Sequence, residues 1–250
     1  VELTDHPAWE DDLRACTVLV AEPHTINAQR RQPFILDLTR LYIHRSWEEE
    51  CFVAEKIRTR PVDKLKVITG GPGTGKTTTV AKELVAQLSD PNCGPMLVAL
   101  AAPTGKAAKR MTEAMDRALG NAPEHVRKTI LASPAKTVHS LLGANPGRVD
   151  GRFTYHAGNK LKFNIVIVDE VSMMSLSMMY HLLAALPDET KLVLVGDPDQ
   201  LASVDAGTVL ADIVSGSPEG RIHKLETQHR FKDAPNIVAA ANAIREGNVE

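Results

Sequence analysis

The stretch from Val67 to Thr78, VITGGPGTGKTT, constrains this 250-residue chain more than any other. A short apolar run, Val67-Ile68-Thr69, leads into a glycine-rich loop that closes on Lys76 and Thr77. The spacing Gly70-x4-Gly75-Lys76-Thr77 fits the phosphate-binding P-loop pattern. A glycine-rich turn that merely matches it arises by chance in roughly 1% of chains this long. The physics is local. Gly71, Gly73 and Gly75 allow backbone conformations that a side chain would block. Successive N–H groups then turn inward as a nest for anionic oxygens. The residues that follow, TTVAKELVAQL, have the pattern of a helix, whose N-terminus adds a positive partial charge at the same point. Gly71, Pro72, Gly73, Thr74, Gly75, Lys76, Thr77 and Thr78 are therefore the expected nucleotide-binding set. Lys76 is expected to reach the β/γ-phosphates and the Thr77 hydroxyl to ligate Mg²⁺.

A chain of 250 residues makes one large domain or two small ones. Hydrophobic residues at 43% and charged residues at 24% are ordinary for a globular protein. No apolar run approaches the ~18 residues of a membrane span, so no membrane partner is expected. Cys16, Cys51 and Cys93 form neither a metal spacing nor a disulfide framework, which points to a reducing cytoplasm. A net charge of -2 argues against a globally basic nucleic-acid coat and leaves room for a local basic groove. The acidic start, VELTDHPAWEDD, is unlike a secretory signal and lacks an initiator Met. It points to a processed chain, an expression product or a fragment.

Residues 1–60 predict a small accessory domain. Gln32 to Leu36 and Leu41 to Ile43 are strand-like, and Trp47 to Ile57 has a rough helical stripe. Trp9 and Trp47 suit a core or an interface better than a site. Met96 to Ala102 is a continuous apolar run of the kind buried on both faces of a parallel sheet. It leads through Thr104 and Lys106 into helical spacing that stops near Gly120. Lys106, Lys109 and Arg110 crowd the first turns of that helix, where positive charge opposes the dipole. A nucleic-acid phosphate and a simply solvated face account for them equally well. Lys136 to Gly143 predicts a short helix ending in glycine. Residues 144–160 predict a loop or hairpin in which Arg148, Arg152, His156 and Lys160 interleave with Phe153 and Tyr155. Such interleaving suits single-strand stacking or an ordinary hairpin.

Phe163 to Val168 is a second buried-type strand, and it delivers Asp169 and Glu170 at its end. Open α/β sheets bind ligands at that edge. An acidic pair there suits Mg²⁺ coordination by Asp169 and water activation by Glu170. Ser175 is the expected cap of a helix whose Met178, Met179, Leu182, Leu183 and Leu186 suit the core. Leu192 to Gly196 is the next strand. It presents Asp197, the residue type of a structural turn, and Gln200, which can orient the γ-phosphate and the attacking water. Gly207 to Val214 and Pro235 to Arg245 predict further helices, on either side of a strand-like stretch that ends in Leu225 to Phe231. The alternation predicts an α/β fold, a P-loop NTPase parallel sheet with helices on both faces.

The ordered series GGPGTGKTT (70–78), APTGKAA (102–108), VDEVSM (168–173), GDPDQL (196–201) and QHRF (228–231) resembles helicase motifs I, Ia, II, III and IV of superfamily 1. It covers the chain from residue 67 to about 247. TVHSLLG (137–143), HAGNKLKFNIVIVDEVSMMSLSMM (156–179), LVGDPDQLASVDAGTVLADI (194–213) and LDLTRLYIHRSWEEECFVAEKI (36–57) are similar to the RecD family, the α subunits of exodeoxyribonuclease V (RecBCD). The resemblance implies a RecA-like, 5′→3′ DNA translocase that couples ATP hydrolysis to unwinding, with single- and double-stranded DNA and RecB-like and RecC-like subunits as partners and any nuclease activity on a partner. It implies phosphate and Mg²⁺ contacts for Lys76 and Thr77, Mg²⁺ for Asp169 and water polarisation for Glu170. By the same resemblance, Gln200 is expected to couple the γ-phosphate to DNA, Arg230 to neutralise charge developing on that phosphate, and Thr104, Lys106 and His139 to lie along the single strand. The implied domains are a partial accessory, partner-binding domain (1–60), a first RecA-like domain (61–225) and the start of a second one (226–250).

Two departures from the family pattern stand out. The segment RTRPVDKLK before the P-loop has no glutamine of the kind that reads adenine there. The chain also stops at Glu250, before motifs V and VI, so it is expected to bind ATP–Mg²⁺ weakly and to unwind nothing alone. A DNA-independent P-loop ATPase and a non-catalytic subunit that scaffolds its partners are the competing functions.

Overall fold

The computed structural model describes residues 9–26, 32–92, 94–144, 153–200 and 208–225. The chain separates into two compact units, Val1–Lys56 and Ile57–Glu250.

In the first unit, α1 (Trp9–Ala15) precedes a three-stranded sheet of β1 (Val20–Ala21), β2 (Phe34–Asp37) and β3 (Arg40–Ile43). β1 and β2 are parallel, and β2 and β3 form an antiparallel hairpin. Ile35 and Leu36 are its most buried side chains. The long helix α2 (His44–Thr59) follows directly, and the Trp47 indole N–H donates to Asp37 Oδ2 at 3.2 Å. The strand-like runs and the helix expected here are present. Trp47 is half-buried and structural.

The second unit is built on six parallel strands: β4 (Leu65–Gly70), β5 (Val98–Ala102), β6 (Lys136–Thr137), β7 (Ile165–Val168), β8 (Lys191–Gly196) and β9 (Ile222–Leu225). Their order is β6-β5-β7-β8-β4-β9, and every neighbouring pair is parallel. All of β5 and β7 is buried, which explains their unbroken apolar sequences. One face of the sheet presents Ile68, Leu100, Ile165, Ile167, Val193 and Val195. They pack with Val80 and Leu84 of α3 (Lys76–Leu88), Met111 and Met115 of α4 (Gly105–Ala118), and Val126 and Ile130 of α5 (Glu124–Ile130). The alternate strand residues, among them Val67, Val166, Val168, Leu192 and Leu194, are buried on the other face. α7 (Leu176–Ala185) and α8 (Val209–Gly216) bury Met179, Leu182, Leu183 and Leu210, and Leu210 lies beside Gly196 at the end of β8. Each such side chain removed from water contributes about 1.5–3 kcal/mol.

Side-chain oxygens cap three helices, two of them directly after the carboxyl end of a strand. Thr104 accepts from the N–H of Ala107 at the start of α4, and Thr137 from that of Ser140 at the start of α6 (Val138–Leu141). Ser175 caps α7, as its sequence position predicts. Lys136 and Thr137, expected in the short helix, instead form strand β6 against Ala101 and Ala102. The cap explains the difference, because Thr137 needs an extended backbone (ψ 151°) to reach the Ser140 N–H. α5 was not expected; its seven residues give only two apolar positions, Val126 and Ile130.

Two buried arginines tie the sheet margin together. Arg60 Nη2 donates to the carbonyls of Pro187 (2.8 Å) and Thr190 (2.7 Å). Arg221 donates to the carbonyl of Ile57 at 2.6 Å and also to that of Arg60. Burial pushes the Arg60 guanidinium below its usual range, while Asp188 and Glu189 push it back up. Residues 145–152 with Arg148 and Arg152, the segment 201–207, and 226–250 with Arg230 and the helix expected from Pro235 lie outside the described residues. Among the described residues, no helix is long and apolar enough to cross a membrane.

Candidate nucleotide site

The site starts where β4 ends. A Cβ on Gly70 would lie 2.7 Å from both the Leu225 carbonyl oxygen and Thr74 Oγ1, so the loop closes there only around glycine. Gly73 and Gly75 take left-handed φ angles of 82° and 83°. Gly71, expected to share that role, is not among the positive-φ residues. It is buried, and its carbonyl is its contribution: it accepts from Thr74 Oγ1 at 2.9 Å and from Lys76 Nζ at 3.1 Å. Lys76 Nζ also donates to the Gly70 carbonyl at 2.6 Å. α3 begins at Lys76 on a left-handed Gly75 with no side-chain cap. Its first-turn N–H groups thus face the loop mouth as donors for an anion.

The next strand end supplies the acids. The Asp169 N–H donates to Ala101 in the neighbouring strand β5 at 2.9 Å, which fixes the end of β7. Asp169 Oδ1 accepts the N–H of Glu170 at 2.9 Å. Burial pushes the Asp169 carboxyl up to about 6, and the charge of Glu170 pushes the same way, while that N–H bond and the Lys76 ammonium oppose the rise. Glu170 has φ 54° and ψ 40°, a left-handed conformation that is costly for a side-chain-bearing residue.

The third strand end supplies Gln200. β8 stops at Gly196, where a Cβ would lie 2.5 Å from Leu210 Cδ2 of α8. Asp197 follows, 3% exposed. Its Oδ1 accepts from the N–H of Asp199 at 3.2 Å, and its Oδ2 from Gln200 Nε2 at 3.4 Å. Asp197 therefore shapes the turn that holds the glutamine. The sequence marked it as structural without identifying this task.

These parts converge. Residues 72–78, Asp169, Glu170 and Gln200 line one open cleft of about 830 Å³ at the carboxyl edge of the sheet. The hydroxyl of Thr77 and the carboxylate of Asp169 are hard oxygen donors that fit Mg²⁺, which keeps several waters and takes few protein ligands. Three of the residues expected to act on a nucleic acid stand elsewhere on the same edge. Thr104 and Lys106 follow β5 and His139 follows β6, on adjacent strands, and none of them lines the cleft. The His139 ring lies 6.0 Å from that of Phe153, which packs edge-on against His181 at 4.9 Å. The α4 side of the cleft is formed by Ala107, Arg110, Met111, Glu113, Ala114 and Arg117. Sequence reasoning grouped Arg110 with Lys106 and Lys109. The 3–4-residue spacing of Ala107, Arg110, Ala114 and Arg117 was the available signal that they share a face.

Residues 54–206 match a family described as an AAA domain. The RecBCD enzyme subunit RecD of Mycolicibacterium smegmatis is 41% identical over 247 residues, covering 97% of this chain and 42% of that protein. The ATP-dependent RecD2 DNA helicase of Deinococcus radiodurans is 37% identical over 200 residues, 80% of this chain and 24% of its own length. A crystal structure of the Pif1 helicase from Candida albicans aligns with 81% of this chain and 44% of that one, at 21% identity and a TM-score of 0.46. The chain spans less than half the length of the curated relatives it matches.

Proposed function

The chain belongs to the AAA-domain family, and on that premise we propose that it is the ATP-hydrolysing lobe of a RecD-type DNA helicase. The observation that carries the proposal is the convergence of Lys76, Thr77, Asp169, Glu170 and Gln200 from three strand ends on one cleft. In this reading Lys76 and the loop N–H groups hold the β- and γ-phosphates of ATP. Thr77 and Asp169 would hold Mg²⁺, which would neutralise phosphate charge. Glu170 orients and polarises the attacking water, and its backbone is set by the hydrogen bond to Asp169. Gln200, held by Asp197, contacts the γ-phosphate and passes its state towards DNA. Arg230 is assigned to charge developing on that phosphate.

The further assignments rest on the similarity to RecD. They comprise 5′→3′ movement along DNA, assembly with RecB-like and RecC-like subunits that supply nuclease activity, and cytoplasmic break repair and recombination. Thr104, Lys106 and His139 are assigned to the single strand, mostly through phosphate and stacking contacts. Residues 1–60 are proposed as an accessory, partner-binding domain, 61–225 as the first RecA-like domain and 226–250 as the opening of a second.

The test is unwinding by the full-length protein, assembled with its natural partners, on duplexes with a 5′ or a 3′ single-stranded tail. A duplex opened from the 5′ tail, with ATP and with wild-type but not Lys76→Ala protein, supports the proposal. ATP hydrolysis indifferent to DNA returns the reading to a DNA-independent ATPase. No hydrolysis at all returns it to a scaffold.

A further inference from the structure

The cation cluster at the start of α4 is divided by the fold. Lys106 and Lys109 are exposed and do not line the nucleotide cleft, whereas Arg110 does. The register of α4 causes this. Ala108, Met111 and Met115 form its buried stripe, which leaves the flank through Ala107, Arg110 and Ala114 beside the P-loop. Met111 also lines a small cavity with Thr77 and Asp169, so α4 passes directly behind the proposed Mg²⁺ ligands. Arg110, the adjacent residue, lines the cleft itself. Under the proposed function the β- and γ-phosphates bind in that same cleft, beside Lys76, Thr77 and Asp169.

The electrostatics agree with this position. The cleft is lined by the carboxylates of Glu113, Asp169 and Glu170 and by the cations Lys76, Arg110 and Arg117, of which Lys76 and Arg117 already donate to backbone carbonyls. A triphosphate adds further negative charge. Arg110 forms no hydrogen bond or ion pair among the described residues. Its guanidinium carries five donors in a planar fork suited to phosphate oxygens.

We infer that Arg110 is a γ-phosphate-binding residue of this cleft, one that distinguishes nucleoside triphosphate from diphosphate, and not a nucleic-acid contact. The inference rests on the proposed nucleotide site. The fork of Arg110 donates to terminal phosphate oxygens that a diphosphate lacks.

The experiment compares wild-type, Arg110→Ala, Arg110→Lys and Lys76→Ala forms of the full-length protein. Affinities for Mg²⁺–ATPγS and Mg²⁺–ADP are measured by competition against a fluorescent nucleotide, and that for a single-stranded oligonucleotide by anisotropy. Arg110→Ala is expected to weaken ATPγS by about tenfold or more, the effect of one charge-assisted hydrogen bond. ADP and oligonucleotide binding should stay within about threefold of wild type, and Arg110→Lys should recover part of the ATPγS loss. Equal losses for both nucleotides, no loss, or a loss confined to the oligonucleotide each overturn the inference. Lys76→Ala separates the two levels. If it binds ATPγS as wild type does, the nucleotide site itself is wrong. If it binds poorly and Arg110→Ala binds normally, only the role of Arg110 is wrong.

Discussion

Asp169 Oδ1 holds the backbone N–H of Glu170 at 2.9 Å, and Glu170 is in the left-handed region at φ 54°. The carboxylate assigned to Mg²⁺ thus also sets the direction of the residue assigned to the attacking water. One side chain organises both halves of the proposed chemistry.

Glu170→Gly should separate function from stability. Glycine takes φ 54° without steric cost, so the folded protein should be unchanged or more stable by about 1 kcal/mol. ATP hydrolysis should be lost. Chemical denaturation checks the first statement and an ATPase assay the second. Destabilisation well beyond that range would show that the Glu170 side chain is structural.

Asp169→Asn should stabilise the metal-free protein at neutral pH, because burial holds the carboxyl at about 6, above its unfolded value near 4. The folded state then binds the extra proton, so the wild type gains stability as pH falls from about 7 to 4, and that gain is lost as pH rises through 6. At pH 7 the asparagine variant is expected to be more stable by about 1–3 kcal/mol, with the gap closing near pH 4. Urea denaturation in EDTA across this range is the measurement, and a gap that does not change with pH contradicts the prediction.

Asp197→Ala should lower kcat through Gln200. Losing the bond that positions the glutamine costs roughly 1.4 kcal/mol, or about tenfold in rate. The double variant with Gln200→Ala should lose little more than either single one, because both act through the same group. Fully multiplicative losses would mean that the two residues act independently.

Arg60→Ala should be among the more damaging substitutions outside the site. It leaves the buried Thr190 carbonyl without its donor, while the Pro187 carbonyl keeps the Thr190 N–H at 3.3 Å, at a cost of about 1–3 kcal/mol. Arg60→Lys should recover only part of this, since one ammonium cannot reproduce the fork. Equilibrium unfolding of the three forms tests it.

The core sheet and the candidate site were visible in the sequence because their signals are local. β5, β7 and β8 are buried on both faces and so are written as unbroken apolar runs. The phosphate loop depends on glycines next to one another in the chain, and Asp169 and Glu170 follow their strand directly. What stayed hidden depends on tertiary partners. Strand β6 is two residues long and exists because Ala101 and Ala102 lie beside it. The role of Asp197 is defined by a turn that returns Gln200 to it. Arg110 and Lys106 look alike in sequence, and only the buried stripe through Met111 and Met115 assigns them to different surfaces. The glycine expectation at position 71 failed for a similar reason, since its carbonyl is fixed by Thr74 and Lys76 rather than by its own φ.

The most direct test of the account is the ATPase rate of the full-length protein with and without single-stranded DNA, for wild type, Lys76→Ala and Glu170→Gln. The account predicts hydrolysis that DNA stimulates in the wild type and that falls by at least about a hundredfold in both variants, with Glu170→Gln still binding ATP. Rates in either variant equal to wild type would contradict it.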